Sequence, residues 1–212
     1  MRDTLNYRYS ASEERLNIWS HALGLLASAV AFPFLITKAF AYSRFWETMS
    51  FIIYGLSLLM LYAASTFYHA AKNPKKRRTL NILDHAAIYV LIAGSYSPFC
   101  LVSLGANLGW YLFITVWIFA LVGSILKLFF TGRFDKLSTA IYLLMGWQVV
   151  FFMKPLMKAL TDIGLNLLIT GGIFYTVGAI LYSIKKIPYN HALFHLFVLL
   201  GSVSHFFALY FL

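Results

Sequence analysis

Long apolar runs separated by short polar connections fill almost the whole chain. Seven such runs can be drawn, at residues 16–38, 48–71, 80–104, 109–130, 137–153, 163–184 and 190–212. Each is close to the ~20 residues that an α-helix needs to cross a hydrocarbon core about 30 Å thick. None shows the alternation of polar and apolar residues that a membrane-spanning strand needs. The pattern predicts an all-α fold, a bundle of seven transmembrane helices that occupies residues 1–212 as a single membrane domain.

Composition supports a membrane protein. Hydrophobic residues make up 61% of the 212 residues and charged residues 11%, and a soluble domain of this length cannot hide that much apolar surface in one core. Arg15, an apolar stretch and the small residues Ala27-Ser28-Ala29 imitate a cleavable signal peptide. The apolar run continues to Thr37, so we expect an uncleaved first span. The single cysteine, Cys100, has no partner for an internal disulfide and is expected to be a buried thiol.

The net charge of +10 is distributed in the way that membrane topology requires. Twelve of the 17 Lys and Arg residues lie before the first span or in the connections after the second, fourth and sixth spans, and a thirteenth, Lys127, lies near the end of the fourth span. The positive-inside rule therefore predicts a cytoplasmic N-terminus and a C-terminus outside. The densest run, Lys72 to Arg78, is expected to set topology and to contact anionic lipid head groups. It has no interleaved aromatic residues or glycines, so we expect no nucleic-acid partner.

Four side chains that can bind or assist a metal are expected at one depth of the membrane. With the N-terminus inside, the second span ends at the cytoplasmic face, and His69 lies near that end. The third and seventh spans begin at the same face. This places Asp84 about one turn into the third span, and His191 and His195 in the first two turns of the seventh. Charge distribution and span order thus bring three helices together at one site.

The residue types and their spacing favour zinc (Zn²⁺) at this site. Side chains at i and i+4 share one face of a helix, so His191 and His195 can bind one ion, with His69 as the third ligand. Three protein ligands leave the fourth tetrahedral position to water, as in catalytic zinc sites, and such a water supplies hydroxide near neutral pH. Asp84 would hydrogen-bond this water or orient a ligand. Ser65, one turn before His69, would donate to a developing oxyanion or to a ligand.

Helix packing is the alternative explanation for His191 and His195, because most histidine pairs at this spacing in apolar helices make interhelical hydrogen bonds. The added His69 and Asp84 at the same depth favour a metal, since ionisable groups inside membranes are usually functional.

The remaining histidines fit a metal site less well. His205 lies ten residues after His195, about 15 Å further along the helix, so a packing role or a separate polar contact is expected. His21 is expected to make a helix–helix contact. For His85, the sequence leaves open a role behind the metal ligands or in packing.

These residues resemble the motifs of bacterial haemolysin III proteins, which belong with the progestin and adipoQ receptor family and, more distantly, with alkaline ceramidases. The matching segments are Glu14 to Asn17 with Ser20-His21, Ser65 to His69, Asp84-His85 on to Gly94 to Pro98, and His191 through His195 to Gly201 and His205. The resemblance covers all seven spans and implies a multi-pass protein of the bacterial plasma membrane with its N-terminus inside. It also implies zinc held by His69, His191 and His195, with Asp84 and Ser65 at the water on the zinc.

The sequence is compatible with three functions. The first is a zinc-dependent hydrolase that cleaves an amide or ester of a lipid, with Asp84 as general base and then general acid. The second is lysis of red cells through pore formation, although a chain with seven apolar spans cannot travel through water as a secreted toxin. The third is a receptor or sensor in which zinc only holds three helices together. Membrane lipids are the expected partners, with a lipid as the substrate; the sequence does not identify that lipid or the oligomeric state.

Overall fold

The computed structural model describes residues 9–212, and within that range the chain forms helices and no strands. The helices are α1 (Ala11–Ala39), α2 (Phe45–Ala70), α3 (Pro74–Pro98), α4 (Ala106–Phe130), α5 (Asp135–Trp147), α6 (Met153–Ala159), α7 (Asp162–Ser183) and α8 (Asn190–Tyr210). A π-helical segment, Phe99–Ser103, continues α3. In the described range, seven helical stretches are long and apolar enough to cross a membrane, with α5 and α6 forming one of them. The predicted fold class is confirmed, whereas the orientation of the termini stays a prediction.

Helices α1 and α3 begin before the apolar runs because polar residues cap them. The Ser10 hydroxyl accepts a hydrogen bond from the backbone N–H of Glu13 at 3.2 Å. The Asn73 side chain accepts one from the N–H of Lys76 at 3.1 Å, and Pro74 occupies the first turn, where no N–H is needed. The predicted starts at residues 16 and 80 therefore mark the edge of the apolar region and not the first helical turn.

The fifth span is longer than the predicted 137–153 and is irregular in the middle. α5 ends at Trp147, a 3₁₀ turn covers Gln148–Phe152, and α6 continues to Ala159. Pro155 lies in the first turn of α6. Because proline has no N–H to bond to the preceding turn, an uninterrupted α-helix is disfavoured here and the helix restarts.

The helices pack as two groups that meet through α1 and α8. α2 packs along both α1 and α3, and α7 packs along α8, which also contacts α1. Close approach depends on small residues: a Cβ on Gly24 would come within 2.4 Å of the Tyr62 ring, and one on Gly94 within 2.3 Å of the Ser57 hydroxyl. Such contacts are typical of membrane helices, where close packing holds neighbours together.

The outer and inner surfaces differ in chemistry. The outer faces carry large apolar side chains, among them Trp19, Leu23, Phe67, Ile118 and Phe151. Inside, buried polar side chains concentrate where the beginnings of α1, α3 and α8 meet the end of α2. We call this region, defined by His69, His191 and His195, the histidine end of the bundle.

Candidate metal centre

Three buried histidines meet where the end of α2 faces the beginning of α8. His69 lies in the last turn of α2, and His191 and His195 lie in the first two turns of α8. One ring nitrogen of each lies within 4.8 Å of those of the other two. The Nε2 atoms of His69 and His191 are 3.1 Å apart. Two ligands about 2.05 Å from a tetrahedral zinc ion stand roughly 3.3 Å apart, so this donor set can hold a metal ion.

Glu14 of α1 orients the imidazole of His69. Its Oε2 accepts a hydrogen bond from Nδ1 of His69 at 2.7 Å. With the proton on Nδ1, Nε2 presents a free lone pair toward His191 and can act as a ligand. Glu14 is only 7% exposed, so water competes little for this bond. A carboxylate behind a ligand imidazole is a recurrent feature of protein metal sites.

Arg77 of α3 neutralises the buried Glu14. One guanidinium nitrogen donates to Oε1 of Glu14, and the other donates to the carbonyl of His69 at 3.2 Å and to two neighbouring carbonyls. Arg77 is buried and therefore departs from the prediction that the whole run faces lipid head groups. The exposed basic residues of the run are Lys72, Lys75, Lys76 and Arg78.

Helix α1 also positions His195. Nδ1 of His195 lies 3.3 Å from the Asn17 carbonyl and 3.3 Å from the Ser20 hydroxyl, so Nδ1 carries the proton and Nε2 is left for a metal. The ring of His21 stacks on that of His195, with centroids 3.5 Å apart and planes at 12°. Glu14, Asn17 and His21 share one face of α1, so a single helix orients two of the three candidate ligands.

Aromatic rings enclose the cluster. Tyr9 stacks on His191 with ring centroids 4.6 Å apart, and Tyr182 of α7 contacts the same imidazole at 5.4 Å. Tyr68 lies against His69 at 4.6 Å. These rings limit the access of water, which strengthens electrostatic interactions inside the site.

Asp84 and Ser65 lie beside the three histidines without belonging to the cluster. The buried Asp84 carboxyl is next to the Ser65 hydroxyl and within electrostatic range of His69 and His85. Its Oδ2 lies 4.0 Å from Nδ1 of His85. The structure thus brings all five predicted site residues to the histidine end. The roles assigned to them from the sequence stay predictions.

Several buried polar atoms around the cluster have no hydrogen-bond partner within the described part of the chain. They are Nδ1 of His191, both ring nitrogens of His21 and the side-chain amide of Asn17. A buried polar atom without a partner costs about 1–3 kcal/mol, and folded proteins contain few of them. Their concentration here fits a site that engages a polar ligand or a metal ion with its water.

Two further histidines make contacts that need no metal. Nδ1 of His85 donates to the Asn81 carbonyl within α3 at 2.8 Å. Nε2 of His205 donates to the Leu168 carbonyl of α7 at 3.2 Å. His205 is thus part of a separate polar contact, as its distance along α8 predicted.

A largely apolar cavity of about 170 Å³ lies next to the cluster, and α3, α4, α5, α7 and α8 form most of its wall. Its polar lining at the histidine end includes Asp84, His191 and His195. Further residues that line it are Leu61, Leu91, Ile92, Phe99, Phe194 and Val198. An apolar pocket with a few convergent polar groups is typical of a binding site for an apolar molecule.

Sequence reasoning did not identify Glu14 and Arg77 as parts of the site. A signal existed for Glu14: together with Asn17 and His21 it forms a polar stripe at helical spacing on an otherwise apolar helix. No comparable signal existed for Arg77, because it lies within a run of basic residues whose other members are exposed.

Fold and site together define a seven-helix membrane protein whose buried three-histidine cluster can hold a metal ion. Residues 9–206 match the family described as Haemolysin-III related, and the chain belongs to this family. The resemblance noted from the sequence motifs is confirmed. Family membership and the seven candidate spans also confirm the predicted location as a multi-pass protein of a cell membrane.

Relatives align over nearly the whole bundle. The chain is 46% identical to the Hemolysin-3 homolog of Bacillus subtilis (strain 168) over 203 residues, which cover 96% of this chain and 95% of the relative. It is 44% identical to Hemolysin-3 of Bacillus cereus over 199 residues, with 94% and 91% covered. It is 28% identical to the Homo sapiens protein named Monocyte to macrophage differentiation factor, with 96% and 86% covered. This last similarity is consistent with the wider progestin and adipoQ receptor superfamily.

Proposed function

We propose that the protein is a zinc-dependent hydrolase that cleaves an amide or ester bond of a membrane lipid. One observation carries the proposal: a buried three-histidine cluster lies beside Asp84 at one end of an apolar cavity. A zinc-dependent hydrolase of membrane lipids needs a metal-binding site, a group that moves protons and an apolar pocket, and these three parts adjoin one another here.

Zinc fits the donor set better than the common hard cations. Imidazole nitrogen is a preferred ligand of zinc, whereas magnesium and calcium prefer oxygen ligands. The three ligands would be His69, His191 and His195, which leaves a fourth position for water or substrate. When bound, zinc supplies a Lewis acid and makes a water acidic enough to react near neutral pH.

The residues behind the ligands prepare the site. Glu14 keeps the proton of His69 on Nδ1, and the Asn17 carbonyl does the same for His195. Both imidazoles therefore present Nε2 inward without a change of tautomer. Because these contacts are buried, the ligand orientations are set by the fold, which favours catalysis.

Asp84 is the residue that would move the proton. Its carboxylate takes a proton from the attacking water while the water oxygen bonds to the lipid carbonyl carbon. When the carbon–nitrogen or carbon–oxygen bond breaks, Asp84 returns the proton to the leaving nitrogen or oxygen. The hydroxyl of Ser65 donates to the carbonyl oxygen as negative charge develops there.

The cavity determines the class of substrate. Its wall beyond the histidine end is mostly apolar and includes Leu91, Phe99 and Val198, which suits an acyl chain. The polar end suits the amide or ester bond, since Asp84 and two candidate ligands line it. A lipid lying along the cavity thus has its scissile carbonyl next to the three histidines.

The substitution Asp84→Asn tests this function. It keeps the size of the side chain and removes its ability to accept the proton, so hydrolysis of a panel of lipid amides and esters is expected to fall by roughly 10²–10⁴-fold. Zinc content, measured by elemental analysis of the purified protein, is expected to stay unchanged. Asp162→Asn, which alters an exposed carboxylate at the start of α7, is the matched control and should retain full activity. Turnover at the wild-type rate in Asp84→Asn, or after zinc is removed by a chelator, would contradict the proposal.

Asp84→Asn, together with His191→Ala, also tests whether zinc has a purely structural role. In a receptor or sensor in which the ion only ties helices together, Asp84→Asn would be nearly silent. His191→Ala would then lose zinc and stability together, since metal binding is coupled to folding.

The two Bacillus relatives are named as hemolysins, so the second candidate is membrane lysis, which we propose would occur through a pore. A pore predicts ion flux across liposomes that contain only the purified protein, and this flux would persist after a chelator removes the metal. The hydrolase predicts no flux in such liposomes when their lipids are not substrates. Comparing flux and lipid cleavage in one preparation separates the two candidates.

A further inference from the structure

We infer that His205 is a second polar anchor in the cavity and that it recognises a hydroxyl group on the acyl chain of the bound lipid. The inference rests on the proposed function and narrows its substrate class. The lipids favoured at this site would carry a hydroxyl on the chain, remote from the bond that is cleaved.

The position of His205 along α8 sets the distance between the two polar points. It follows His195 by ten residues, which corresponds to about 15 Å at 1.5 Å per residue. Both side chains line the same cavity, and Val198 and Phe99 contribute apolar wall to it. A chain whose carbonyl lies at the histidine end can therefore pass His205 further along the bundle.

The hydrogen bonding of His205 defines what it can recognise. Nε2 donates to the Leu168 carbonyl at 3.2 Å, so the neutral imidazole has its acceptor at Nδ1. Nδ1 is buried and has no hydrogen-bond partner within the described residues. A neutral acceptor in an apolar wall selects a donor, and a hydroxyl is the donor that a lipid chain most readily carries. A chain without a hydroxyl leaves this buried acceptor unpaired, which is unfavourable. The site should therefore prefer a hydroxylated chain.

The surrounding helices are shaped to hold this imidazole. A Cβ on Gly171 of α7 would come within 2.2 Å of Cδ2 of His205, so only glycine leaves space for the ring. The rings of Tyr175 and Phe99 flank it, with centroids at 5.3 Å and 6.5 Å. The imidazole is therefore fixed between α3, α7 and α8, and its position does not depend on the metal.

Neighbouring hydroxyls at this depth are already used in a network centred on Ser202. Its hydroxyl accepts from Tyr62 at 2.8 Å and lies 3.0 Å from the hydroxyl of Tyr175. The Tyr54 hydroxyl donates to the Ser202 carbonyl at 3.3 Å. These contacts tie α2, α7 and α8 together. Nδ1 of His205 is not part of this network, and it is an acceptor without a partner within the described residues.

Equilibrium binding of free fatty acids to the purified protein tests the inference, because these molecules carry the acyl chain and a carboxyl group but no amide or ester bond that could be cleaved. The probes are stearic acid and a series of hydroxystearic acids with the hydroxyl at successive carbons. One positional isomer, or two adjacent ones, is expected to bind roughly three- to tenfold more tightly than stearic acid, the worth of one hydrogen bond. Wild-type protein that binds no isomer more tightly than stearic acid would overturn the inference.

Two variants assign the preference to His205. His205→Phe keeps a ring of similar size and removes the acceptor, so the preference should disappear while stearic acid binds as before. Gly171→Ala crowds the ring without removing its nitrogens and should weaken the preference, which provides a test if His205→Phe does not fold. Ser204→Ala is the matched control, because the Ser204 hydroxyl is buried and bonded to the Leu200 carbonyl of its own helix at 2.9 Å.

The experiments distinguish failure of this inference from failure of the proposed hydrolase function. A hydroxyl preference that persists in both His205→Phe and Gly171→Ala overturns the role of His205. An intact preference in a protein that cleaves none of the lipid amides and esters overturns the hydrolase alone.

Discussion

Nδ1 of His69 donates a hydrogen bond to the carboxylate of Glu14 at 2.7 Å, across 55 residues of sequence. This contact connects the first turn of α1 to the last turn of α2, next to the three-histidine cluster. Arg77 of α3 binds the other carboxylate oxygen. One buried carboxylate therefore connects the beginnings of α1 and α3 to the end of α2. The first helix is thereby part of the candidate metal centre, although it supplies none of the three candidate ligands.

Glu14→Gln is expected to weaken zinc binding roughly 10- to 100-fold. The amide oxygen can still accept from Nδ1 of His69, but it lacks the negative charge that raises the basicity of the ligand imidazole. Competition for zinc with a chromogenic chelator measures the affinity of the purified protein. Glu47→Gln, near the start of α2 and far from the cluster, should bind zinc as the wild type does. Equal zinc affinities in Glu14→Gln and wild type would show that the charge on the Glu14 side chain does not affect zinc binding.

Arg77→Ala is expected to lower the free energy of unfolding by about 3–5 kcal/mol, because it leaves the buried Glu14 carboxylate without its ion-pair partner. Arg78→Ala, at the adjacent exposed position, is expected to change it by less than about 0.5 kcal/mol. Unfolding in mixed detergent micelles measures both variants. Similar decreases in the free energy of unfolding in the two variants would mean that both arginines act only through the net positive charge of residues 72–78.

His191→Ala and His195→Ala are each expected to lose most of the bound zinc, since each removes one of three ligands. The rise in thermal stability on addition of zinc should disappear in the same variants, because it depends on binding to the folded state. Zinc stoichiometry by elemental analysis is the measurement. His205→Ala serves as the control and should keep its zinc, since this side chain is about 15 Å further along α8 than His195. Full zinc content in His195→Ala would place the ion elsewhere.

Much of the fold was predictable because a bilayer imposes length and polarity on each span. Seven runs of the required length gave seven helical spans, whereas the polar turns at Ser10 and Asn73 extended two of them beyond the apolar boundary. The meeting of His69, Asp84 and His191 at one end of the bundle also followed from the sequence, because successive spans alternate in direction and bring particular helix ends together.

Contacts between helices were harder to predict. In a membrane protein, both the lipid-facing and the interior sides of a helix are apolar, so periodicity identifies the inward face poorly. The pairing of Glu14 with Arg77 depends on how α1 and α3 are rotated about their axes. Arg77 also looks like its neighbours in sequence, and only its position in the first turn of α3 distinguishes it from the exposed Arg78.

The orientation of the bundle is the remaining sequence prediction with direct consequences for function. Exposed basic residues such as Lys75 and Lys76 lie at the histidine end, and the positive-inside rule predicts that this end faces the cytoplasm. We therefore expect the metal centre to draw on cytoplasmic zinc and to meet lipids of the inner leaflet.

Labelling of introduced cysteines in intact cells checks this orientation. Cys100 is fully buried, so the wild type should react little with a membrane-impermeant maleimide and provides a low background. Lys75→Cys should react only after the cells are opened, because its side chain would face the cytoplasm. Phe40→Cys, at an exposed position between α1 and α2, lies at the opposite end and should react in intact cells. The reverse pattern would place the metal centre at the outer face, where its zinc and its lipid would come from the outside.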